Sequence, residues 1–150
     1  MIKNMTIEYV SQENFEFKDL TDDVKKFVKE VKIKNGNVLV YSTHTTLAIC
    51  INEKEKGIVS DFKKLMGKLI PKNDYYQHND LSVRTENLVC QSAASDCLNG
   101  HSHCTHLLMR NSETVPIIDG KIMLGVWQRI FAIELDCCRP RKVLVQVMGD

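Results

Sequence analysis

The sequence predicts an α+β domain with an antiparallel, β-rich core and flanking helices, and three observations carry that expectation. Helical periodicity is concentrated in the first two thirds of the chain, and the last third reads as strands joined by short turns. Strands and helices do not alternate as a parallel doubly wound sheet would require. The 150 residues show no internal repeat and no low-complexity linker, so a single domain over residues 1–150 is expected.

Met5 to Val10 has strand composition. Thr21 is positioned to cap a helix in which Val24, Phe27, Val28 and Val31 recur at helical spacing, and Asn35–Gly36 should end it. Val38 to Tyr41 and Leu47 to Ile51 read as strands on either side of the polar run Ser42 to Thr46. Ile58, Val59, Phe62, Leu65, Met66 and Leu69 mark a second amphipathic helix, closed by Pro71. Pro71 to Glu86 is polar and aperiodic, and a loop of that length in a compact domain is usually functional or disordered. Asn87 to Leu98 and Gly100 to Met109 read as two helices divided at Asn99–Gly100. Thr114 to Ile118, an Asp119–Gly120 hairpin turn, Lys121 to Leu124, Val126 to Asp136 and Lys142 to Met148 complete the β-rich tail.

Composition narrows the function classes. Twenty basic against nineteen acidic residues leave a net charge of +1, too balanced for a generic nucleic-acid binder. No signal-like apolar run opens the chain and no segment approaches the length that crosses a bilayer, so a cytoplasmic protein without a membrane partner is expected. In that compartment the six cysteines stay reduced, as small buried hydrophobes or weak surface thiols, and none forms a CxxC pair. Phosphate-loop and dinucleotide glycine signatures are absent, as is GxSxG.

The candidate chemistry rests on histidines and arginines. His44 lies in a hydroxyl-rich run between two strands, His78 in the long polar loop beside Asn79, Asp80 and Arg84, and His101, His103 and His106 in the run HSHCTH. His103 and His106 share one helix face. Histidines this far apart in the chain match no compact zinc finger, so a three-histidine site for a zinc-like ion has to be assembled by the fold. Arg84, Arg129, Arg139 and Arg141 are the candidate phosphate ligands, because a planar guanidinium holds phosphate through two hydrogen bonds. The alternative for RPRK is a basic turn that keeps a sheet edge soluble. Thr43, Thr45, Thr46 and Ser112 can add hydroxyl donors. Glu53 and Glu134 sit in apolar surroundings that displace a carboxylate's pKa toward a catalytic range, although alternation along Val126 to Asp136 also fits Glu134 as a surface residue. Trp127 is expected in the core.

The segment Ser112 to Ile130, SETVPIIDGKIMLGVWQRI, closely resembles the signature of the YjbQ-like proteins, often labelled secondary thiamine-phosphate synthase. HTTLAICINE from His44, LIP from Leu69, HND from His78, NGHSH from Asn99 and the closing ELD followed by RPRKVLVQVMG resemble further family blocks in the family's order. The resemblance spans nearly the whole chain. It implies an α+β domain that assembles as a homotrimer with polar clusters near subunit interfaces. The family's histidines match His44, His78 and His103, which favours these three over His101 and His106 as a metal or catalytic set. Glu53, Ser112, Gln128 and Glu134 fall at matching polar positions. Val126 stands where the signature usually has Thr, and His106 where a small residue is common.

The family label implies joining a hydroxymethylpyrimidine pyrophosphate to a thiazole phosphate with loss of pyrophosphate. Such a reaction calls for arginines and Mg²⁺ around the leaving group, whereas three histidines suit a softer divalent ion. The expectation is therefore a phosphate-handling enzyme with a thiamine-phosphate-synthase-like activity. In it, His44, His78, His103, Glu53 and Glu134 do the chemistry, and Thr45, Arg84, Ser112, Arg139 and Arg141 hold a small phosphorylated molecule. The alternatives are a metal-dependent hydrolase using the same histidines with Glu53 as base, and a non-catalytic trimer that binds a phosphorylated ligand.

Overall fold

Two antiparallel sheets form the frame, and the described strands take the chain between them six times. The computed structural model describes residues 1–88 and 98–150. Its strands are β1 (Ile2–Val10), β2 (Phe17–Asp19), β3 (Gly36–Ser42), β4 (Leu47–Asn52), β5 (Ser112–Ile118), β6 (Lys121–Ile122), β7 (Arg129–Glu134) and β8 (Pro140–Gly149). Helices α1 (Thr21–Val31), α2 (Lys56–Leu69) and α3 (Gly100–Leu108) and a 3₁₀ turn at Gln77–Asn79 complete the described fold. The larger sheet has the order β1-β8-β3-β5-β6 and the smaller the order β2-β7-β4. The α+β expectation and the Asp119–Gly120 hairpin are borne out. Asp119 and Gly120 adopt φ of 49° and 73°, as the tight β5–β6 turn requires. The helix expected at Asn87 to Leu98 lies almost wholly outside the described residues.

Alternation along each strand decides what is buried. In β8, Arg141, Val143, Val145 and Val147 take one face and are all buried, so Arg141 extends the core-facing row by one position. Strand β7 is central in its sheet and buried on both faces. Ile130 and Ala132 join the main core with Leu20, Val24 and Val28, while Phe131, Ile133 and Leu135 form a second cluster. Phe15, Phe17 and Phe62 close that cluster, with Phe62 meeting each of the other two edge to face at 5.5 Å. Glu134 follows Ile130 and Ala132 onto the core face and is 1% exposed, so the surface reading of this alternation is corrected. Alternation alone does not reveal that both faces are covered.

Three local expectations also need correction. Thr21 does not cap α1: Asp19 Oδ1 accepts the Thr21 amide at 3.0 Å, and the buried Thr21 hydroxyl accepts the Ile130 amide at 2.8 Å. The helix stops before Asn35–Gly36, because Lys32 turns to a φ of 57° and directs Ile33 into the core. Trp127 is 71% exposed rather than buried. It sits beside Val126 in a turn that Gln128 closes, its Oε1 accepting the Gly125 amide at 2.7 Å.

Two of these passages, the β3–β4 and β7–β8 connections, lie side by side. Thr43–Thr46 carries the chain from β3 in the large sheet to β4 in the small one, and residues 135–139 carry it back from β7 to β8. The Leu135 amide donates to the Thr46 carbonyl at 3.0 Å and stitches the two crossings together. Side chains from both sheets therefore converge at this seam.

Candidate functional site

A polar pocket of about 480 Å³ opens at the seam, lined by Thr43, His44, Thr45, Thr46, Asn99, His103, Arg139, Pro140 and Arg141. Arg141 lines it and is paired, behind the wall, with the buried Glu134. Arg141 Nε donates to Glu134 Oε2 at 2.6 Å, Arg141 Nη2 contacts Glu134 Oε1, and Nη2 also donates to Thr46 Oγ1 at 3.0 Å. The Asp136 amide donates to Glu134 Oε1 at 2.8 Å. Glu134 is thus fully engaged in fixing the guanidinium. Arg141 Nη1 has no hydrogen-bond partner among the described residues and belongs to a side chain that lines the pocket. The soluble-edge reading of RPRK fails for Arg141, because β8 lies between β1 and β3.

His44 stands on the β3–β4 crossing. The Lys142 amide donates to His44 Nε2 at 3.0 Å, so the neutral ring carries its proton on Nδ1. Burial, then the positive charges of Arg141 and Lys142 against the opposing pull of Glu134, hold the ring below the ordinary histidine pKa. A neutral His44 is therefore a fixed Nδ1–H donor.

A second network ties the polar loop to the pocket. Asn99 Nδ2 donates to Asp136 Oδ2 at 2.7 Å, and Arg139 Nε donates to the same oxygen at 2.8 Å. Asn99 Oδ1 meets His78 Nε2 at 3.1 Å, and Arg84 Nη1 lies 3.2 Å from that nitrogen and 3.2 Å from the His78 carbonyl oxygen. The His78 and His103 rings are 4.6 Å apart, centroid to centroid. Burial, then neighbouring His78, lower the His103 pKa, while Asp136 pulls the other way. The loop is seated against α3 by the Gly100 amide, which donates to Asn79 Oδ1 at 2.8 Å. A Cβ at Gly100 would come within 2.7 Å of Tyr76 Cβ, so glycine permits this close seat.

The fold brings together His44, His103, Thr45, Arg139 and Arg141 around one pocket, with His78 and Arg84 in the network behind it. It does not bring Glu53 or Ser112 there. Glu53 lines a largely apolar groove with Phe17, Cys50, Phe62 and Leu65, and Ser112 lines a separate depression beside His106. Arg129 is engaged by Asp19 and Asp22 at the surface. Sequence reasoning missed Asn99 and Asp136, which orient the imidazole and one of the arginines. Asn99 carried a usable signal, since it opens the run NGHSH that holds two of the candidate histidines. No local pattern marks Asp136.

Among the described residues, no three His, Cys, Asp or Glu side chains gather at ligand spacing. The Nε2 lone pair of His44 is also committed to the Lys142 amide. As placed, His44, His78 and His103 do not make a ready three-histidine ligand set.

A family profile described as UPF0047 protein, YjbQ-like, matches residues 5–150. The chain belongs to this family. A UPF0047 protein of Archaeoglobus fulgidus is 35% identical over 144 residues, covering 96% of this chain and all of the relative. The UPF0047 protein YugU of Bacillus subtilis is 29% identical over 150 residues, covering 99% of this chain and all of YugU. Among solved structures, a YjbQ-like protein of unknown function from Sulfolobus solfataricus superposes with a TM-score of 0.86 at 28% identity, over 100% of this chain and 99% of that one. An uncharacterised UPF0047-family protein from Clostridium acetobutylicum gives a TM-score of 0.81 at 30% identity, over 96% and 99% of the two chains. The fold is thus shared with solved members of the UPF0047 family. No helix among the described residues is long and apolar enough to cross a membrane.

Proposed function

We propose that this UPF0047 protein is a phosphate-handling enzyme whose seam pocket binds a small phosphorylated molecule. The observation that carries the reading is the Arg141 guanidinium, 3% exposed, clamped by Glu134 and Thr46 and contributing to a pocket that also holds Arg139. A guanidinium fixed in advance recognises an oxyanion without reorganising, which is the electrostatic arrangement that stabilises a departing phosphate or pyrophosphate. Thr43 and Thr45 supply hydroxyls at the rim, and His44 supplies its Nδ1–H to a phosphoryl oxygen. His103, neutral and backed by His78, is the proton-transfer group. Transfer with loss of pyrophosphate, as in a thiamine-phosphate-synthase-like reaction, uses this set with the arginines on the leaving group and His103 on the proton. Exposed Val126, Trp127 and Leu107 support self-association, and a homotrimer is the assembly proposed.

Thermal-shift titration with inorganic phosphate and pyrophosphate, followed by a turnover screen of phosphorylated metabolites, tests the reading. Stabilisation by pyrophosphate together with turnover that His103→Ala abolishes is the expected result. Stabilisation without turnover across the panel favours the non-catalytic ligand binder. Stoichiometric metal in untagged protein, lost from a still-folded His44/His78/His103 triple-alanine variant, with activity lost to a chelator, favours the metal-dependent hydrolase. No stabilisation by either anion and no turnover overturns the proposal.

A further inference from the structure

Between Asp136 and Arg139, an ion pair whose arginine lines the pocket, lie two consecutive cysteines. Cys137 and Cys138 are both exposed free thiols. The adjacent Cys138 thiol first, then burial and the nearby carboxylates Asp136 and Glu134, push the Cys137 thiol above its ordinary range. Cys138 adopts a left-handed φ of 50°, a costly conformation for a non-glycine residue. It is held there by flanking contacts: Cys138 Sγ donates to the Gln12 carbonyl at 3.2 Å, and Arg139 exchanges hydrogen bonds with Ser11 Oγ through its amide at 3.0 Å and its carbonyl at 3.2 Å. The turn is closed by the Arg139–Asp136 ion pair at 2.8 Å, and Asp136 also anchors Asn99. Any change in how the two sulfurs sit acts on a strained turn that carries Asp136 and Arg139.

We propose that Cys137 and Cys138 form a vicinal dithiol that a low-molecular-weight disulfide oxidises to an internal disulfide, and that this closure withdraws Arg139 from the pocket wall. The coupling rests on the anion-binding reading of the pocket; the thiol step does not. In that step the Cys138 thiolate attacks one sulfur of the reagent, a mixed disulfide forms, and the leaving thiolate takes up the proton that Cys138 released. Cys137 then loses its proton to solvent and attacks the Cys138 sulfur, and the second reagent half departs as a thiol. The protein loses two electrons and two protons, and one reagent disulfide becomes two thiols. Consecutive Cα atoms are about 3.8 Å apart, below the ~4.4 Å at which ordinary disulfides begin, so the product is strained and readily reduced. That places it with labile, regulatory disulfides rather than structural ones.

The test treats the full-length protein with oxidised glutathione, maps cysteine-containing peptides by mass spectrometry, and measures pyrophosphate binding before oxidation, after it, and after dithiothreitol. The expected result is an internal disulfide at the 137–138 peptide, roughly tenfold weaker pyrophosphate binding from the displaced charge-assisted contact, and full recovery on reduction. A Cys137→Ser/Cys138→Ser variant, with its melting temperature checked against the wild type, should bind pyrophosphate normally and ignore the oxidant. Absence of the 137–138 disulfide overturns the thiol step. A mapped disulfide with unchanged affinity, or a loss of affinity that persists in the double-serine variant, overturns the coupling. Reduced wild type that ignores pyrophosphate overturns the pocket reading and the coupling with it, while the mapped disulfide stands or falls by itself.

Discussion

Glu134 and Arg141 each sit at the end of a core-facing row in a different sheet, and they meet across the seam with Arg141 Nε 2.6 Å from Glu134 Oε2. The pair is 1% and 3% exposed in its side chains. Desolvating two charges is costly, and their attraction does little more than offset it. Two apolar residues at these positions would let the sheets pack equally well, so the pair is explained better by what the guanidinium presents to the pocket than by stability.

That account predicts an asymmetry between single and double substitutions. Glu134→Leu or Arg141→Met alone leaves a buried charge unpaired and should cost about 3–5 kcal/mol in denaturant unfolding. The double variant should recover most of that loss. A double variant no more stable than the singles would show that the pair itself holds the seam together.

Thr21 offers an independent test of the fold. Its hydroxyl is the acceptor for the Ile130 amide, in the buried junction between α1 and β7. Thr21→Val keeps the shape and strands that amide, so unfolding free energy should fall by about 1–3 kcal/mol without loss of pyrophosphate binding. Unchanged stability would mean that the amide finds another partner.

Stability should decline on mild acidification. His44, His101, His103 and His106 are all held below the ordinary value of 6.5, chiefly by burial. A depressed folded-state pKa means that the unfolded chain binds protons first, so the stabilisation is complete above 6.5 and is lost as pH falls toward the folded values. Asp19 does not mask this. Burial raises its pKa, but hydrogen bonds from Thr21, Arg129 and Lys54 outweigh it and hold the carboxyl near about 2, so its contribution fades only below its ordinary 3.8. The melting temperature should therefore drop between about pH 7.5 and about pH 5, and a flat profile there would contradict the burial of these imidazoles.

The orienting network predicts a separation of binding from turnover. Asn99→Ala removes the link between His78 and Asp136 while leaving Arg141 and Glu134 in place. Turnover should fall by about 10²-fold with a smaller change in pyrophosphate affinity, because His103 loses the support of an oriented neighbour. Equal losses in both would place Asn99 in ligand binding instead.

Much of the fold was legible because its signals are local. The α1 stripe, the Asp119–Gly120 hairpin and the polar run between β3 and β4 follow from periodicity and turn chemistry. The errors arise where tertiary coverage decides. Glu134 alternates as a surface residue would and is buried because β7 is covered on both faces, and Arg141 reads as an edge charge because the place of β8 between β1 and β3 is not written locally. Trp127 reads as core by its chemistry, yet the Gly125–Gln128 turn displays it. Of the site, the residue types were legible and their grouping was not. His44, Arg139 and Arg141 converge through two adjacent sheet crossings and His103 joins them from α3, a grouping no spacing rule encodes, and Glu53 was drawn in by its apolar flanks although it faces a separate groove.

The central claim is that the clamped Arg141 makes the seam pocket an anion site, and calorimetric titration of pyrophosphate into wild-type protein and into the Glu134→Leu/Arg141→Met variant tests it most directly. Saturable binding to the wild type, weakened by about tenfold or more in a variant that remains folded, is the predicted result. Equal affinity in the two proteins would contradict it.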